Sequence, residues 1–202
     1  MSNSRYLRLS VVGLAIAVTA LVALPWPASA QLSGSLTGTS ATALVATVLG
    51  STTALGSTGS LAYSSDVLGE ELDSGSIPVG SAEVLHATAI GEGDYVSSEA
   101  SLADLAISAG GATVTAAFVM ANAAADSAGG TSGSSMVQGL VVNGVSITPT
   151  GAANQTVSLG AIQLVLNEVT QSSSGITVNA LHISTIDGSV DVVVASASAA
   201  MP

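Results

Sequence analysis

The stretch GITVNALHISTIDGSVDVVVASASA (residues 175–199) has the pattern of two antiparallel β-strands joined by a tight turn. Asp187-Gly188 supplies the turn, and alternate valines from Val190 onward give the second strand one apolar face. In the first strand, the apolar residues change parity after Ala180. This change indicates either a β-bulge near residues 179–181 or a strand whose two ends face different layers. The stretch predicts the last two strands of an antiparallel meander.

Similar patterns extend upstream. Strand-like runs occur at residues 41–49, 81–90, 100–108, 112–123 and 161–169. The run 41–49 also fits a helix, but its Thr and Val content favours a strand. Asn143-Gly144 and Gly110-Gly111 are tight-turn signals, because both positions of such a turn take positive φ. Residues 66–80 and 126–134 lack periodicity and are interpreted as loops. The spacing predicts an all-β fold, an antiparallel β-sandwich of jelly-roll or immunoglobulin-like type, with few or no helices in the mature chain.

The N-terminus has the order of segments found in secretory signals. Arg5 and Arg8 precede an uncharged apolar run at residues 9–24. Ala28 and Ala30 are small residues placed as a signal peptidase requires, so we expect cleavage after Ala30. The alternative is an uncleaved membrane anchor, but the run is shorter than the about 20 apolar residues that a bilayer needs.

The expected domain organisation follows from this cleavage. Residues 1–30 are the predicted signal peptide, and residues 31–202 are long enough for a single all-β domain with a sizeable core. Residues 31–50 are a candidate exchangeable N-terminal strand that adds to a neighbour's sheet edge. The chain has no cysteine, so core packing and backbone hydrogen bonds must hold an exported domain together without disulfides.

The charge balance excludes several classes of partner. The whole chain has two Lys or Arg residues and 13 Asp or Glu residues, a formal charge of −11. Without Arg5 and Arg8 the 13 carboxylates remain, and the formal charge is −13. A chain with no fixed cation cannot neutralise a phosphate backbone, so we expect no nucleic-acid partner. Anionic membrane surfaces repel it for the same reason, and no membrane span is expected after cleavage.

Several of these strands are similar to one protein family. The segments LVVNGVSIT, LGAIQLVLNEV, GITVNALHI, DVVVASASA and ASLADLAISAGGATVTA resemble the bacterial choice-of-anchor P family. The resemblance covers roughly residues 81–199 and is strongest from Gln138 onward. It implies a secreted, surface-associated, all-β domain whose relatives carry varied C-terminal attachment signals. It implies no catalytic or ligand residues.

The chain departs from that family at two places. Many relatives carry cysteines around the middle strand and near the C-terminus, where this chain reads AAFVMANA and ASASAAMP. It also ends at Pro202 without an apolar tail or a sorting motif. From this departure we expect a protein that is released, or that is held at the surface by assembly.

The two histidines have strand surroundings without a catalytic motif. No G-x-S-x-G elbow occurs, so no serine is singled out as a partner for His182. We interpret His182 as a partly buried imidazole bonded to backbone or to a carboxylate. His86 shares a strand face with Val84, Thr88 and Ile90 and is interpreted as a packed strand residue. A zinc site of both histidines and a carboxylate lacks the usual ligand spacing.

Carboxylates crowd two segments and are the better candidates for a metal site. Oxygen ligands on loops suit Ca²⁺, which takes 6–8 of them. Neither segment matches an EF-hand or a calcium-binding nonapeptide repeat. The alternative is that these are solvated acidic loops that keep the surface soluble. The six calcium candidates are Asp66, Glu70, Glu71, Asp73, Glu92 and Asp94.

These observations predict a structural role and no enzymatic one. We expect a non-enzymatic secreted or cell-surface protein, with no catalytic residues and no cofactor other than the candidate Ca²⁺. Two alternatives remain open, a subunit of an extracellular fibre assembled by β-strand addition and a Ca²⁺-dependent surface binding module. The expected partners are further copies of the chain or other cell-surface proteins.

Overall fold

The computed structural model describes residues 38–62 and 65–201, so the predicted signal peptide and residues 31–37 lie outside it. Thirteen strands, and no helix, make up the regular structure of the described residues. The strands are β1 Gly38–Val48, β2 Ser51–Ser57, β3 Asp66–Ile77, β4 Gly80–Gly91, β5 Tyr95–Ala109, β6 Ala112–Asp126, β7 Thr131–Gln138, β8 Val141–Val142, β9 Val145–Ser146, β10 Gln155–Leu159, β11 Ile162–Gln171, β12 Gly175–Thr185 and β13 Val190–Ala200.

The strands form two antiparallel sheets that pack face to face. The first sheet has the order β10-β11-β12-β13-β1-β2, and the second has the order β3-β4-β5-β6-β8-β9, with β7 also paired to β6. Most neighbours are consecutive in the chain, so each sheet is largely a meander. The main exception is the pairing of β1 with β13, which joins the two ends of the described chain. The predicted all-β antiparallel sandwich is confirmed.

The core lies between the sheets and is made of small and medium apolar side chains. One buried cluster takes inward-facing residues from both sheets, including Leu44, Leu102, Leu164 and Ile183. Its largest fully buried side chains are Leu, Ile and Val rather than aromatic residues. Each fully buried side chain of this size stabilises the fold by about 1.5–3 kcal/mol relative to leaving it in water.

The face switch near Ala180 is present and crosses the first sheet. The register aligns Ala180 with Ala195 on β13 and with Asn167 on β11, and Ala43 on β1 continues the row. At this level the buried residues change parity in β1, β12 and β13. Asn167 and Ala195 have φ values of 50° and 52°. The residue pairs before and after Ala180 keep the same register, so the neighbouring strands switch their inward-facing positions at the same row. Both ends of β12 therefore face the same core. We call this switch the phase change.

The predicted turns are confirmed, whereas the two predicted loops are wrong in most of their length. Asn143-Gly144 has φ values of 49° and 79°, and Gly110-Gly111 has values of 56° and 76°. Residues 66–80 are mainly β3, an edge strand exposed on most positions of both faces. An edge strand of this kind needs no apolar alternation, so its sequence looks like a loop. The second predicted loop, 126–134, shortens to four residues because β7 begins at Thr131.

Within the described part of the chain, no helix has the length and apolar character required to cross a membrane.

Candidate functional site

His182 lies at the centre of the most concentrated charge cluster in the described residues. It is on β12, and the residue is 6% exposed. Its Nδ1 lies 3.1 and 3.2 Å from the two carboxylate oxygens of Glu168 on β11. Its Nε2 lies 3.0 Å from Oδ2 of Asp191 on β13. We call these three side chains the imidazole bridge, because His182 links the carboxylates of the two flanking strands.

The strand pairing explains how three polar side chains meet. His182 pairs with Val165 on β11 and with Val193 on β13. Its neighbours along β12, Leu181 and Ile183, face the core, so the His182 side chain points to the other face of the sheet. It therefore belongs to the outer face of the first sheet. On that face its ring contacts the side chains of Glu168 and Asp191.

Glu168 and His182 lie on opposite sides of the row, formed by Asn167, Ala180 and Ala195, at which the phase change occurs. It pairs with Asn179, whose Nδ2 donates a hydrogen bond of 2.7 Å to Oε2 of Glu168. The Glu168 side chain is thus held by an amide and an imidazole together. No buried side-chain nitrogen or oxygen in the described residues lacks a hydrogen-bond partner.

The bridge shifts the pKa values of His182 and Glu168. Burial by itself lowers the pKa of His182, but the hydrogen bonds and charges of Asp191 and Glu168 outweigh it and raise the pKa to about 10. The hydrogen bond from His182 is the main reason that the pKa of Glu168 lies below its ordinary value, against the opposing effect of burial. At neutral pH His182 is therefore an imidazolium that donates through both ring nitrogens.

This arrangement suits a structural cation and does not suit a catalytic base. A general base needs a free ring nitrogen within reach of a substrate proton. Both nitrogens of His182 already contact carboxylates, and its pKa keeps them protonated. Since the chain has no Lys or Arg beyond Arg8, His182 also acts as the fixed cation that the carboxylates otherwise lack.

His86 has a more open environment than the sequence pattern indicated. It lies on β4, and its side chain is 36% exposed. Its Nδ1 is 3.4 Å from Oε1 of Glu71, whose side chain is 83% exposed, and its Nε2 hydrogen-bonds the Thr88 hydroxyl at 2.7 Å. The buried face of β4 is the opposite one, which carries Leu85 and Ala87. His86 is thus a strand residue, as predicted, but only half-buried.

The six calcium candidates are not brought together. Asp66, Glu70, Glu71 and Asp73 follow one another along the edge strand β3, where neighbouring side chains point to opposite faces. Glu92 and Asp94 lie in the turn between β4 and β5. Across residues 38–62 and 65–201, no group of three or more His, Cys, Asp or Glu side chains is arranged to hold a metal ion.

The sequence predicts His182 to be a partly buried imidazole bonded to backbone or to a carboxylate, and in the structure it is buried and contacts two carboxylates, which the sequence pattern did not name. The signal was available in the predicted meander. Once β11, β12 and β13 are paired as neighbours, Glu168, His182 and Asp191 are the outward-facing ionisable residues of three consecutive strands. The phase change that brings Glu168 within reach of His182 was not readable from one strand alone.

Comparison of the chain with protein-family models, with curated proteins and with solved structures found no match. The resemblance to the choice-of-anchor P family therefore stays a prediction.

Proposed function

We propose that this chain is a non-enzymatic structural protein of the extracellular surface. The observation that carries the proposal is the shortness of the connections within the sandwich. Strands β3 to β7 and β10 to β13 follow one another through links of two to four residues. Binding and catalytic residues concentrate on longer loops that a scaffold positions. Here most of the described chain is the scaffold itself.

The charge cluster supports the same proposal. The imidazole bridge uses both nitrogens of His182 and both neighbouring carboxylates in contacts within the protein. A cluster of this kind ties three adjacent strands together and offers no unused proton-transfer group to a substrate. The signal-like residues 1–30 support an extracellular location, and the acidic composition supports a soluble, well-hydrated surface.

Fractionation of cells that produce the full chain tests this function. We expect the protein in the culture medium or in the cell-surface fraction, with an N-terminus at Gln31 by protein sequencing. We also expect that deleting its gene alters the surface layer seen by electron microscopy. Recovery of the uncleaved chain from the cytoplasm contradicts the proposal, as does a deletion that removes a defined enzymatic activity and leaves the surface unchanged.

A subunit of an extracellular fibre is the second candidate. The observation that favours it is the position of β1, the first described strand, which fills an interior place in the first sheet between β13 and β2. A strand that precedes the rest of the domain and completes its sheet is suited to strand addition between copies. Negative-stain microscopy of native extracellular material is the test. Filaments favour this candidate, and a uniform monomer at high concentration opposes it.

A further inference from the structure

The strand β1 contributes to the core and to both of its neighbours. Ala41, Ala43, Leu44 and Ala46 are buried, each with 1% exposure or less. The strand pairs with β13 over almost its whole length and with β2 over its second half. Removal of β1 leaves a slot with unpaired backbone on both sides and an opening into the core. A strand of the same sequence fits that slot without any new contact.

The link from β1 to β2 is the one covalent connection of β1 to the other described strands. It is a two-residue turn, Leu49-Gly50, with φ values of 49° and 81°. Turns of this kind take Asn, Asp or Gly at both positions, because other residues with positive φ bring Cβ close to the backbone. Leu49 is a branched, apolar residue, and it is 84% exposed.

Other hairpins in the chain use the residues that this turn requires. The β5–β6 turn is Gly110-Gly111, and the β8–β9 turn is Asn143-Gly144. All three turns have two consecutive residues with positive φ. Of the three, only the β1–β2 turn places a large apolar side chain in the left-handed region and exposes it to solvent. Short hinge loops under strain favour domain swapping, because an extended hinge relieves the strain.

We propose that β1 exchanges between copies of this chain, with Leu49-Gly50 as the hinge and the slot between β13 and β2 of the next copy as the acceptor. The partner is a second copy, and the exchanged strand makes there the same pairs that it makes in the closed monomer. Opening the hinge lets residue 49 leave the left-handed conformation and take part in contacts between copies. The inference rests on the proposed structural function and adds the moving segment and its partner.

A disulfide trap distinguishes exchange from simple association. Thr42 pairs with Ser196 on β13, and antiparallel residues directly opposite each other have the spacing that a disulfide needs. The chain has no other cysteine. In the variant T42C/S196C, oxidation forms a disulfide within one chain when β1 pairs with β13 of its own chain. It forms a disulfide between two chains when β1 has exchanged.

The trap variant is incubated reduced at high concentration, oxidised, and run on a denaturing gel without reductant. We expect a ladder of covalent multimers that collapses to one band on reduction. Intrachain product alone overturns the proposal, provided that circular dichroism shows a folded variant. The pair Val45 and Val193, also directly opposite each other, supplies a second trap if the first fails to fold.

A lock on the hairpin provides the reverse experiment. The hydroxyls of Thr47 and Thr52 are 2.9 Å apart across β1 and β2. In the variant T47C/T52C, oxidation in dilute solution closes the hairpin within one chain. We expect this oxidised protein to stay monomeric by light scattering where the reduced protein forms larger species. Equal assembly of both forms overturns the proposal.

Substitution of the hinge residue tests the role of strain. L49N gives the Asn-Gly sequence that suits the turn, and we expect it to reduce the interchain fraction of the trap about fivefold or more. The matched control is I186N, which removes another exposed apolar residue (62% exposed) from a turn outside the hinge. Equal effects of the two substitutions contradict the hinge. A failed trap leaves the extracellular fractionation result intact, so the two proposals fail separately.

Discussion

The two histidines of this chain both lie on the outer face of a sheet, His182 on the first and His86 on the second, yet their surroundings differ. His182 is 6% exposed and contacts carboxylates on both neighbouring strands. His86 has a side chain that is 36% exposed and one carboxylate neighbour, Glu71, at the longer distance of 3.4 Å. The first is a cation enclosed by its own counter-ions, and the second is a surface imidazole beside a solvated carboxylate.

In a protein with so few cations, the contribution of an ion pair to stability depends on how far the pair is exposed to water. Exposed ion pairs contribute about 0–1 kcal/mol, because water screens them and the side chains lose freedom. Breaking a buried pair costs about 3–5 kcal/mol, because the remaining charge has no partner. The imidazole bridge lies between these cases, since its carboxylates keep 26% and 33% of their side-chain surface exposed. We therefore expect its effects near the lower end of the buried range.

Replacing His182 has the largest expected effect. In H182A, Glu168 and Asp191 lose their shared cation and repel each other on adjoining parts of one face. We expect the free energy of unfolding at pH 7 to fall by about 3 kcal/mol, measured by urea denaturation. The matched substitution is H86A on the other sheet. Equal losses for the two variants contradict the distinction between the two sites.

The pH dependence of stability has the next largest effect. The pKa of His182 is about 10 in the folded protein against 6.5 ordinarily. Its contribution is thus fully present below pH 6.5 and is lost as the pH rises toward 10. A shift of this size corresponds to at most about 5 kcal/mol. Because the side chains of Glu168 and Asp191 stay 26% and 33% exposed and water screens them, we expect a smaller decrease, on the order of 2–3 kcal/mol. Urea denaturation of the parent chain and of H182Q, side by side, checks the assignment, because H182Q must lack this part of the decrease.

At acidic pH, the free energy of unfolding changes with pH in the opposite direction. The pKa of Glu168 in the folded protein lies below its ordinary value of 4.5. Its contribution is present above pH 4.5 and is lost as the pH falls through the lowered value. The bridge therefore stabilises the fold most between pH 4.5 and 6.5. If the free energy of unfolding falls neither below pH 4.5 nor above pH 6.5, the result contradicts the bridge.

Neutralising one carboxylate has a smaller effect, because the amide keeps the shape and one acceptor. We expect E168Q to lower the free energy of unfolding by about 1–2 kcal/mol and to lower the pKa of His182 below 10. Titration of the His182 ring followed by NMR measures the second effect directly. The control is E71Q, beside His86. An unchanged His182 titration in E168Q shows that Glu168 does not hold the imidazolium.

The comparison of the histidines also separates what the sequence could predict from what it could not. Period-two alternation and turn residues were enough for most of β4, β5, β6, β11, β12 and β13, because these strands bury one face. The edge strand β3 was missed, since solvent on both faces removes the alternation. His182 was recognised as bonded, but its partners depend on pairing among three strands and on a phase change that they share. The sequence of a single strand shows neither the pairing nor the phase change.

Replacing His86 has the smallest expected effect. Its imidazole is half-exposed, Glu71 beside it is almost fully hydrated, and the Thr88 hydroxyl can bond water in its absence. We expect H86A to change the free energy of unfolding by less than about 0.5 kcal/mol, as for other surface positions. The measurement is urea denaturation at pH 7 with 0.15 M and 1 M salt, roughly the range over which surface pairs are screened. A loss comparable to that of H182A at both salt concentrations means that His86 stabilises the second sheet as His182 stabilises the first.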